Sequence, residues 1–189
     1  MFEFVEKLKT DIDILVNNAG FNVFGAFSDT DLQKEAEMIQ LHIVSATEMI
    51  KLFLPKMLKN HNGRILNLGS TGSYMPYPFN AVYAATKAYI LSMSKGLSDE
   101  LNDTGVSVTV LCPGSVKTEF AHKAGMENTL LFRVFVMNPE KAARIGYNAL
   151  IKRKRAVTAG LYNKLLVFSS KILPSRIVSY GIKLMLKSR

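Results

Sequence analysis

A short apolar strand, a polar loop and a long helix follow one another from Gly63 to Asp99, and this order constrains the fold most. The apolar run Ile65 to Leu68 is bounded by glycines, which is typical of a buried strand. Ser70 then lies at the carboxyl end of that strand. The segment Ala81 to Asp99 is rich in Ala, Leu, Met and Lys and is therefore predicted to be a helix.

Two reactive side chains lie four residues apart on the predicted helix. Tyr83 and Lys87 share one helical face, because positions i and i+4 are neighbours on a helix surface. A tyrosine ordinarily titrates near pH ~10, and a nearby cation lowers that pKa. Ser70 could hydrogen-bond the same substrate oxygen as the phenol. An isolated Tyr-Lys pair with this spacing is more often an ordinary pair on a helix surface. The neighbouring motifs therefore determine whether the pair is interpreted as catalytic.

Two further strands end in polar or glycine-containing motifs. The predicted strand Asp11 to Val16 stops at Asn17-Asn18-Ala19-Gly20, and the β-branched run Val106 to Cys112 stops at Pro113-Gly114-Ser115-Val116-Lys117-Thr118. Each motif alone is only a turn signal. The alternation of strands and helices predicts a parallel sheet with helices on both faces.

Together these motifs resemble the classical short-chain dehydrogenase/reductase family. The resemblance implies an α/β fold, a partial Rossmann-type doubly wound parallel sheet made of the later strands of the family fold. It also implies hydride transfer between a nicotinamide cofactor and a carbonyl or alcohol substrate. Tyr83 would transfer the hydroxyl proton, Lys87 would lower the tyrosine pKa and bind the nicotinamide ribose, and Ser70 would position the substrate oxygen.

The resemblance also implies a cofactor-binding set. The Pro-Gly-x-Val-x-Thr motif would hold the nicotinamide carboxamide, and the Asn-Asn-Ala-Gly motif would line the adenosine side. The choice between NAD and NADP stays open. The residues implied to contact the cofactor are Asn18, Ala19, Gly20, Tyr83, Lys87, Pro113, Gly114, Val116 and Thr118.

His42 departs from the family pattern, which has a catalytic asparagine at this position. A histidine both donates and accepts through its two nitrogens, so it could replace the asparagine that holds a proton-relaying water. The alternative is a residue that is merely tolerated there. No metal site is expected, because the chain has three histidines and no accompanying cluster of Cys or carboxylates.

The segment between Thr118 and Asn138 is irregular and lipophilic. In the family this region covers the substrate, so an apolar carbonyl or alcohol is expected. The alternative is a helix that buries the same side chains in the core. The residues concerned are Phe120, Met126, Leu130, Leu131, Phe132, Phe135 and Met137.

Positive charge is concentrated at the end of the chain. Residues 141–189 hold 12 of the 24 basic residues and none of the 15 acidic ones, so residues 1–140 hold 12 basic and 15 acidic residues. Two helix-like pieces follow residue 160, and Arg176, Lys183 and Lys187 share a face of the second. Peripheral contact with an anionic membrane is one interpretation, and a docked helical extension is the other. Nucleic acid binding is not expected, because Lys152 to Arg155 lacks interleaved aromatic residues.

The single cysteine, Cys112, excludes an intrachain disulfide and is predicted to be a buried strand residue. No apolar run is long enough to span a membrane and the N-terminus does not resemble a signal peptide, so a cytoplasmic location is predicted.

No Gly-rich phosphate-binding loop precedes Asn17, although the family has one. We therefore expect residues 1–160 to form the later two-thirds of a family domain and 161–189 a basic extension, with the strand before Asn17 at an exposed edge. Two alternatives to an active enzyme follow: a truncated inactive fragment, or a non-enzymatic remnant that binds a membrane or a partner. A homo-oligomer, formed through the helix after His42 and the Tyr83 helix, is implied by the resemblance only.

Overall fold

The computed structural model describes residues 5, 7, 10–127, 129–134 and 136–186. Four parallel strands form one sheet in the order β1-β2-β3-β4, and this confirms the predicted parallel α/β architecture. The sequence also predicts a helix from Phe2 to Lys9, and most of that range, together with Phe135 and Lys187, lies outside the described residues. The strands are β1 (Ile14–Asn17), β2 (Gly63–Leu68), β3 (Val106–Cys112) and β4 (Ala156–Thr158).

Helical segments connect the strands and extend the chain beyond the last one. A π-helical segment, Gln40–Ser45, joins the first two helices, and a 3-10 turn, Thr71–Tyr74, follows β2. The helix before β4 begins at Pro139, and proline suits the first position of a helix. The helices are α1 (Leu32–Ile39), α2 (Ala46–Lys59), α3 (Ala81–Glu100), α4 (Glu119–Lys123), α5 (Leu130–Val134), α6 (Pro139–Ile151), α7 (Leu161–Ile172) and α8 (Ser175–Met185).

The strand register brings the polar loops to one edge of the sheet. Asn17 pairs with Asn67, and Leu68 pairs with Leu111 in the parallel ladder. Because all four strands run in the same direction, their carboxyl ends meet at the same edge. The segments that follow β1, β2 and β3 therefore converge there.

Alternate residues of β2 pack into layers on opposite faces of the sheet. Ile65 packs with Phe53 and Met57 of α2, whereas Leu66 packs with Leu111 and Leu150 on the α6 side. Helices thus cover both faces, as predicted. A Cβ atom on Gly146 would lie 2.8 Å from Leu111, so glycine permits the close approach of α6 to the sheet.

A buried hydrogen-bond chain crosses the sheet into α3. Asn17 Nδ2 donates to Asn67 Oδ1 at 2.8 Å, and Asn67 Nδ2 donates to Ser94 Oγ at 2.9 Å. Ser94 in turn donates to the carbonyl of Ile90 at 2.6 Å. Asn67 is fully buried, so breaking this chain would leave polar groups without partners in the core. The chain fixes α3 relative to β1 and β2.

Candidate active site

One cavity of about 690 Å³ opens where β1, β2 and β3 end. Its size lies in the range of small-molecule sites, which is roughly 300–1,000 Å³. Ser70, Tyr83 and Lys87 all line it, so the structure brings together the three residues that the sequence singled out.

Ser70 is oriented by a capping box at the start of the 3-10 turn. Its side-chain oxygen accepts a hydrogen bond from the backbone N–H of Gly72 at 3.1 Å, and its own N–H donates to Ser73 Oγ at 3.0 Å. A Cβ atom on Gly69 would lie 2.8 Å from Cys112 Sγ, so glycine allows β2 to end close to β3. Cys112 is fully buried, as predicted.

Lys87 is a buried cation held at the end of β2. Its Nζ donates to the carbonyl oxygen of Leu68 at 3.1 Å and lies 5.6 Å from the centroid of the Tyr83 ring. Burial lowers the pKa of Lys87 to about 8, because a buried ammonium loses its hydration. Lys87 therefore changes charge close to physiological pH.

Tyr83 is protonated at neutral pH in this structure. Burial raises the pKa of Tyr83 to about 12, and its hydrogen bond with the Ser70 side chain opposes that rise. Phe120 packs against the phenol ring, with 5.8 Å between the ring centroids. Sequence reasoning expects Lys87 to lower this pKa, but here the loss of hydration dominates.

His42 lies in the π-helical segment with both ring nitrogens hydrogen-bonded. The backbone N–H of Phe21 donates to Nε2 at 3.2 Å, so the neutral ring carries its proton on Nδ1. Nδ1 then donates to Thr86 Oγ1 at 2.9 Å, and the Thr86 hydroxyl donates to the carbonyl of Tyr83 at 2.7 Å. His42 thus links the loop after β1 to the backbone of the Tyr83 helix.

Gly20 leaves room for the ring of His42, which packs directly against it. A Cβ atom at Gly20 would lie 2.5 Å from His42 Nε2, so any larger residue would displace the ring. Burial, and secondarily the charge of Lys87, lowers the pKa of His42 to about 3. His42 is therefore neutral across the physiological range.

The implied cofactor residues line the same cavity, with the exception of Ala19. Thr118 Oγ1 also caps α4 by accepting from the N–H of Phe120 at 3.3 Å. Gly114 contacts Asn163, since a Cβ atom there would lie 2.4 Å from Asn163 Oδ1. The residues of the implied set in the cavity wall are Asn18, Gly20, Tyr83, Lys87, Pro113, Gly114, Val116 and Thr118.

The lipophilic segment before residue 138 divides between cavity wall and other positions. Leu130 is exposed, and Met137 packs against the cluster that contains Leu66 and Leu111. The segment therefore contributes side chains both to the cavity wall and to the core, and its contact with a substrate stays a prediction. Its residues that line the cavity are Phe120, Met126, Leu131 and Phe132.

Sequence reasoning missed three buried polar side chains in the cavity wall. The side-chain oxygens of Asn22, Asn80 and Ser115 have no hydrogen-bond partner within the described part of the chain. Asn80 occupies the N-cap position of α3, where asparagine normally caps the helix, but its side chain makes no capping bond. An asparagine directly before a helix suggests only a cap, so no sequence signal distinguishes this arrangement.

Two features are absent from the described residues. No group of three or more His, Cys, Asp or Glu side chains is placed to hold a metal ion there. No described helix is sufficiently long and apolar to span a bilayer.

Comparison with known proteins identifies the family. The profile of the short chain dehydrogenase family matches residues 1–129, and the chain therefore belongs to this family. The ketoacyl reductase HetN of Nostoc is 36% identical over 105 residues, which are 56% of this chain and 37% of that protein. The uncharacterised oxidoreductase YvrD of Bacillus subtilis is 37% identical over 118 residues, 61% of this chain and 45% of that protein.

A solved structure supports the same assignment. A short-chain dehydrogenase from Sphingobium yanoikuyae, in complex with NADPH, is 26% identical, with a TM-score of 0.77 over 100% of this chain and 71% of that chain. The aligned stretch spans less than half the length of the two curated relatives.

The buried environment of His42 predicts that the folded protein loses stability at low pH. The pKa of His42 is lower in the folded state, so the unfolded chain binds more protons below pH ~6.5, and stability falls as pH drops from there towards 3. The loss should be on the order of 4 kcal/mol in the free energy of unfolding. Urea denaturation of the wild-type protein and His42→Asn across this range measures it.

His42→Asn should flatten the pH dependence of the unfolding free energy. The exposed His61 has a positive φ of 48°, which asparagine adopts readily, so His61→Asn is a matched control that should retain the wild-type slope. Equal slopes for wild type and His42→Asn would contradict the assigned environment of His42.

Proposed function

We propose that the chain catalyses reduction of an apolar ketone to an alcohol with a nicotinamide cofactor. The convergence of Ser70, Tyr83 and Lys87 on one cavity carries this proposal. Membership of the family and the oxidoreductase names of two relatives support it.

The cavity residues fit the nicotinamide half of the cofactor. Asn18, Gly114 and Thr118 would lie along it, and the buried Ser115 hydroxyl lacks a partner among the described residues. When bound, a reduced nicotinamide supplies the hydride that the carbonyl carbon accepts. NAD and NADP remain equal candidates.

The proton state of Tyr83 favours the direction of reduction. A phenol with a pKa of about 12 is protonated at neutral pH and can donate its proton to a developing alkoxide. Ser70 would hydrogen-bond the same substrate oxygen, and the charge of Lys87 would stabilise the phenolate as it forms. Oxidation of an alcohol would first require deprotonation of Tyr83.

The truncated and non-enzymatic alternatives are distinguished by cofactor binding. The aligned stretch covers only 37% and 45% of the two curated relatives, so activity of this chain has to be measured directly. Titration with NADH and NADPH, followed by nicotinamide fluorescence, should show saturable binding of one of them. No saturation with either cofactor would refute the proposed activity.

Cytoplasmic location and homo-oligomer formation stay predictions.

Tyr83→Phe tests the assigned proton donor. The variant keeps the aromatic ring but removes the hydroxyl, so turnover should fall by about 10²–10⁴-fold while cofactor affinity changes little. Tyr89→Phe, an exposed tyrosine on the same helix, is a matched control that should retain turnover. Similar turnover in wild type and Tyr83→Phe would exclude this mechanism.

The pKa of Lys87 predicts how the rate of ketone reduction depends on pH. With a pKa of about 8, Lys87 loses its charge as pH rises through that value, and the rate of ketone reduction should decline above it. Arginine stays charged throughout this range, so Lys87→Arg should remove the decline near pH 8, although its absolute rate is lower. Measurement of kcat from pH 6 to 10 tests this. A wild-type rate that is constant through pH 9 would contradict it.

We propose further that the substrate carries a hydrogen-bond donor, and the unpartnered oxygens of Asn22 and Asn80 support this proposal. The loop that carries Asn22 is held beside Asn80, because Gly25 N–H donates to the carbonyl of Phe79 at 3.0 Å. Asn80 lies three residues before Tyr83, or roughly 5 Å along a helix axis. Both oxygens are buried within the protein, so a hydroxyl on an otherwise apolar ketone would reach them after rotation of the amide side chains, and a buried oxygen without a partner is costly.

Paired ketones test this substrate class. We expect kcat/KM to be ~10-fold or more higher for a trans-decalone with a hydroxyl on its second ring than for unsubstituted trans-decalone. Asn80→Ala should bring the two values within about threefold. Asn102→Ala, on the exposed turn after α3, should retain the preference. An unchanged preference in Asn80→Ala would refute the assignment while leaving the reaction itself intact.

A further inference from the structure

Helix α7 exposes a row of large apolar side chains. Leu161, Leu165, Phe168 and Ile172 are between 59% and 75% exposed. Their spacing is i, i+4, i+7 and i+11, which places them within an arc of roughly 60° on the helix. The opposite side of α7 carries Val167, which is buried in the core. This helix therefore has two apolar sides, and only one of them contributes to the fold.

Helix α8 repeats this arrangement. Ile177, Tyr180 and Leu184 are between 46% and 64% exposed and follow the spacing i, i+3 and i+7. Val178 and Ile182 on the other side are buried in the same core cluster as Val167. The structure thus separates the apolar residues of this helix into an inner and an outer set.

We call the exposed set the outer apolar face. It includes Leu173, which lies between the two helices and is also exposed. Large contiguous apolar surfaces on a folded protein usually mark an interaction site. The outer apolar face consists of Leu161, Leu165, Phe168, Ile172, Leu173, Ile177, Tyr180 and Leu184.

Basic side chains border the outer apolar face. Lys164 and Lys171 follow one edge of its α7 row, and Arg176 and Lys183 follow one edge of its α8 row, since helical residues are about 100° apart. All four are exposed, and residues 141–189 contain no acidic residue. Lys171 and Lys183 also approach the rings of Tyr74 and Phe79 at 5.8 Å, which keeps them near the protein surface.

This charge distribution indicates which kind of partner binds the outer apolar face. A second copy of the chain docked face to face would bring two acid-free basic segments together, and like charges repel. A surface that offers negative charge and an apolar layer beneath it matches both properties. We infer that the outer apolar face binds an anionic membrane surface, with its apolar side chains at the boundary between headgroups and acyl chains.

The inferred membrane face adjoins the candidate active site. The inner residues Val167, Val178 and Ile182 pack in one cluster with Tyr77, Met126 and Leu131, which line the cavity. A single layer of two helices thus separates the cavity from the membrane surface. If the proposed function holds, ketones dissolved in the bilayer are suitable substrates, but membrane binding itself does not depend on catalysis.

Vesicle flotation with the whole chain tests this inference. Vesicles of phosphatidylcholine alone should bind at least ~10-fold more weakly than vesicles containing 30% phosphatidylglycerol, and 0.5 M NaCl should reduce binding to the latter. The double substitution Leu165→Glu and Phe168→Glu should lower the partition coefficient more than ~30-fold. Lys164→Gln and Arg176→Gln should each lower it about fivefold.

The matched control is Leu32→Glu, which places the same charge at an exposed leucine of α1. It should bind vesicles within about twofold of wild type, and circular dichroism verifies that every variant is folded. Failure of the wild-type protein to bind anionic vesicles would overturn the inference, as would unchanged binding by the double variant. A dimer that the double variant dissociates, without vesicle binding by wild type, would assign the face to a second copy instead. Cofactor titration is independent of all these results.

Discussion

The site depends on one buried cation held at the end of a strand. The hydrogen bond from Lys87 Nζ to the carbonyl of Leu68 joins α3 to β2 at the point where the sheet opens into the cavity. Burial of an ammonium is unfavourable, so the surrounding structure must hold it in place. The chain from Asn17 through Asn67 to Ser94 anchors α3 to the sheet below it. Because both of these hydrogen-bonded connections fix α3 relative to the sheet, Tyr83 lies beside Ser70.

His42 adds a third connection to the same helix. Its ring joins the loop after β1 to Thr86, whose hydroxyl contacts the backbone of Tyr83. Both ring nitrogens are occupied in this way, which favours a positioning role over the water-binding role of the family's asparagine. The π-helical segment that carries His42 is a type of irregularity often found at functional sites. The position of the candidate proton donor thus follows from contacts on several elements.

The sequence allowed prediction of features that depend on local order. The spacing of Tyr83 and Lys87, and the strand before Ser70, were sufficient to place these residues together, because parallel strands end at one edge of a sheet. The partners of His42 are 21 and 44 residues away in the chain, so no local pattern specifies them. The same applies to Asn22 and Asn80, which line one cavity only after folding. The outer apolar face of α7 could be recognised only once the structure showed which apolar side of this helix is buried.

We propose that one cavity combines hydride and proton transfer. Reduction of trans-decalone with NADPH or NADH deuterated at the transferred position, followed by mass spectrometry of the alcohol, tests this proposal. With the wild-type protein we expect the alcohol to gain one deuterium on the former carbonyl carbon. Saturable cofactor binding without any deuterium in a product alcohol, from either this ketone or its hydroxylated analogue, would contradict hydride transfer in this cavity.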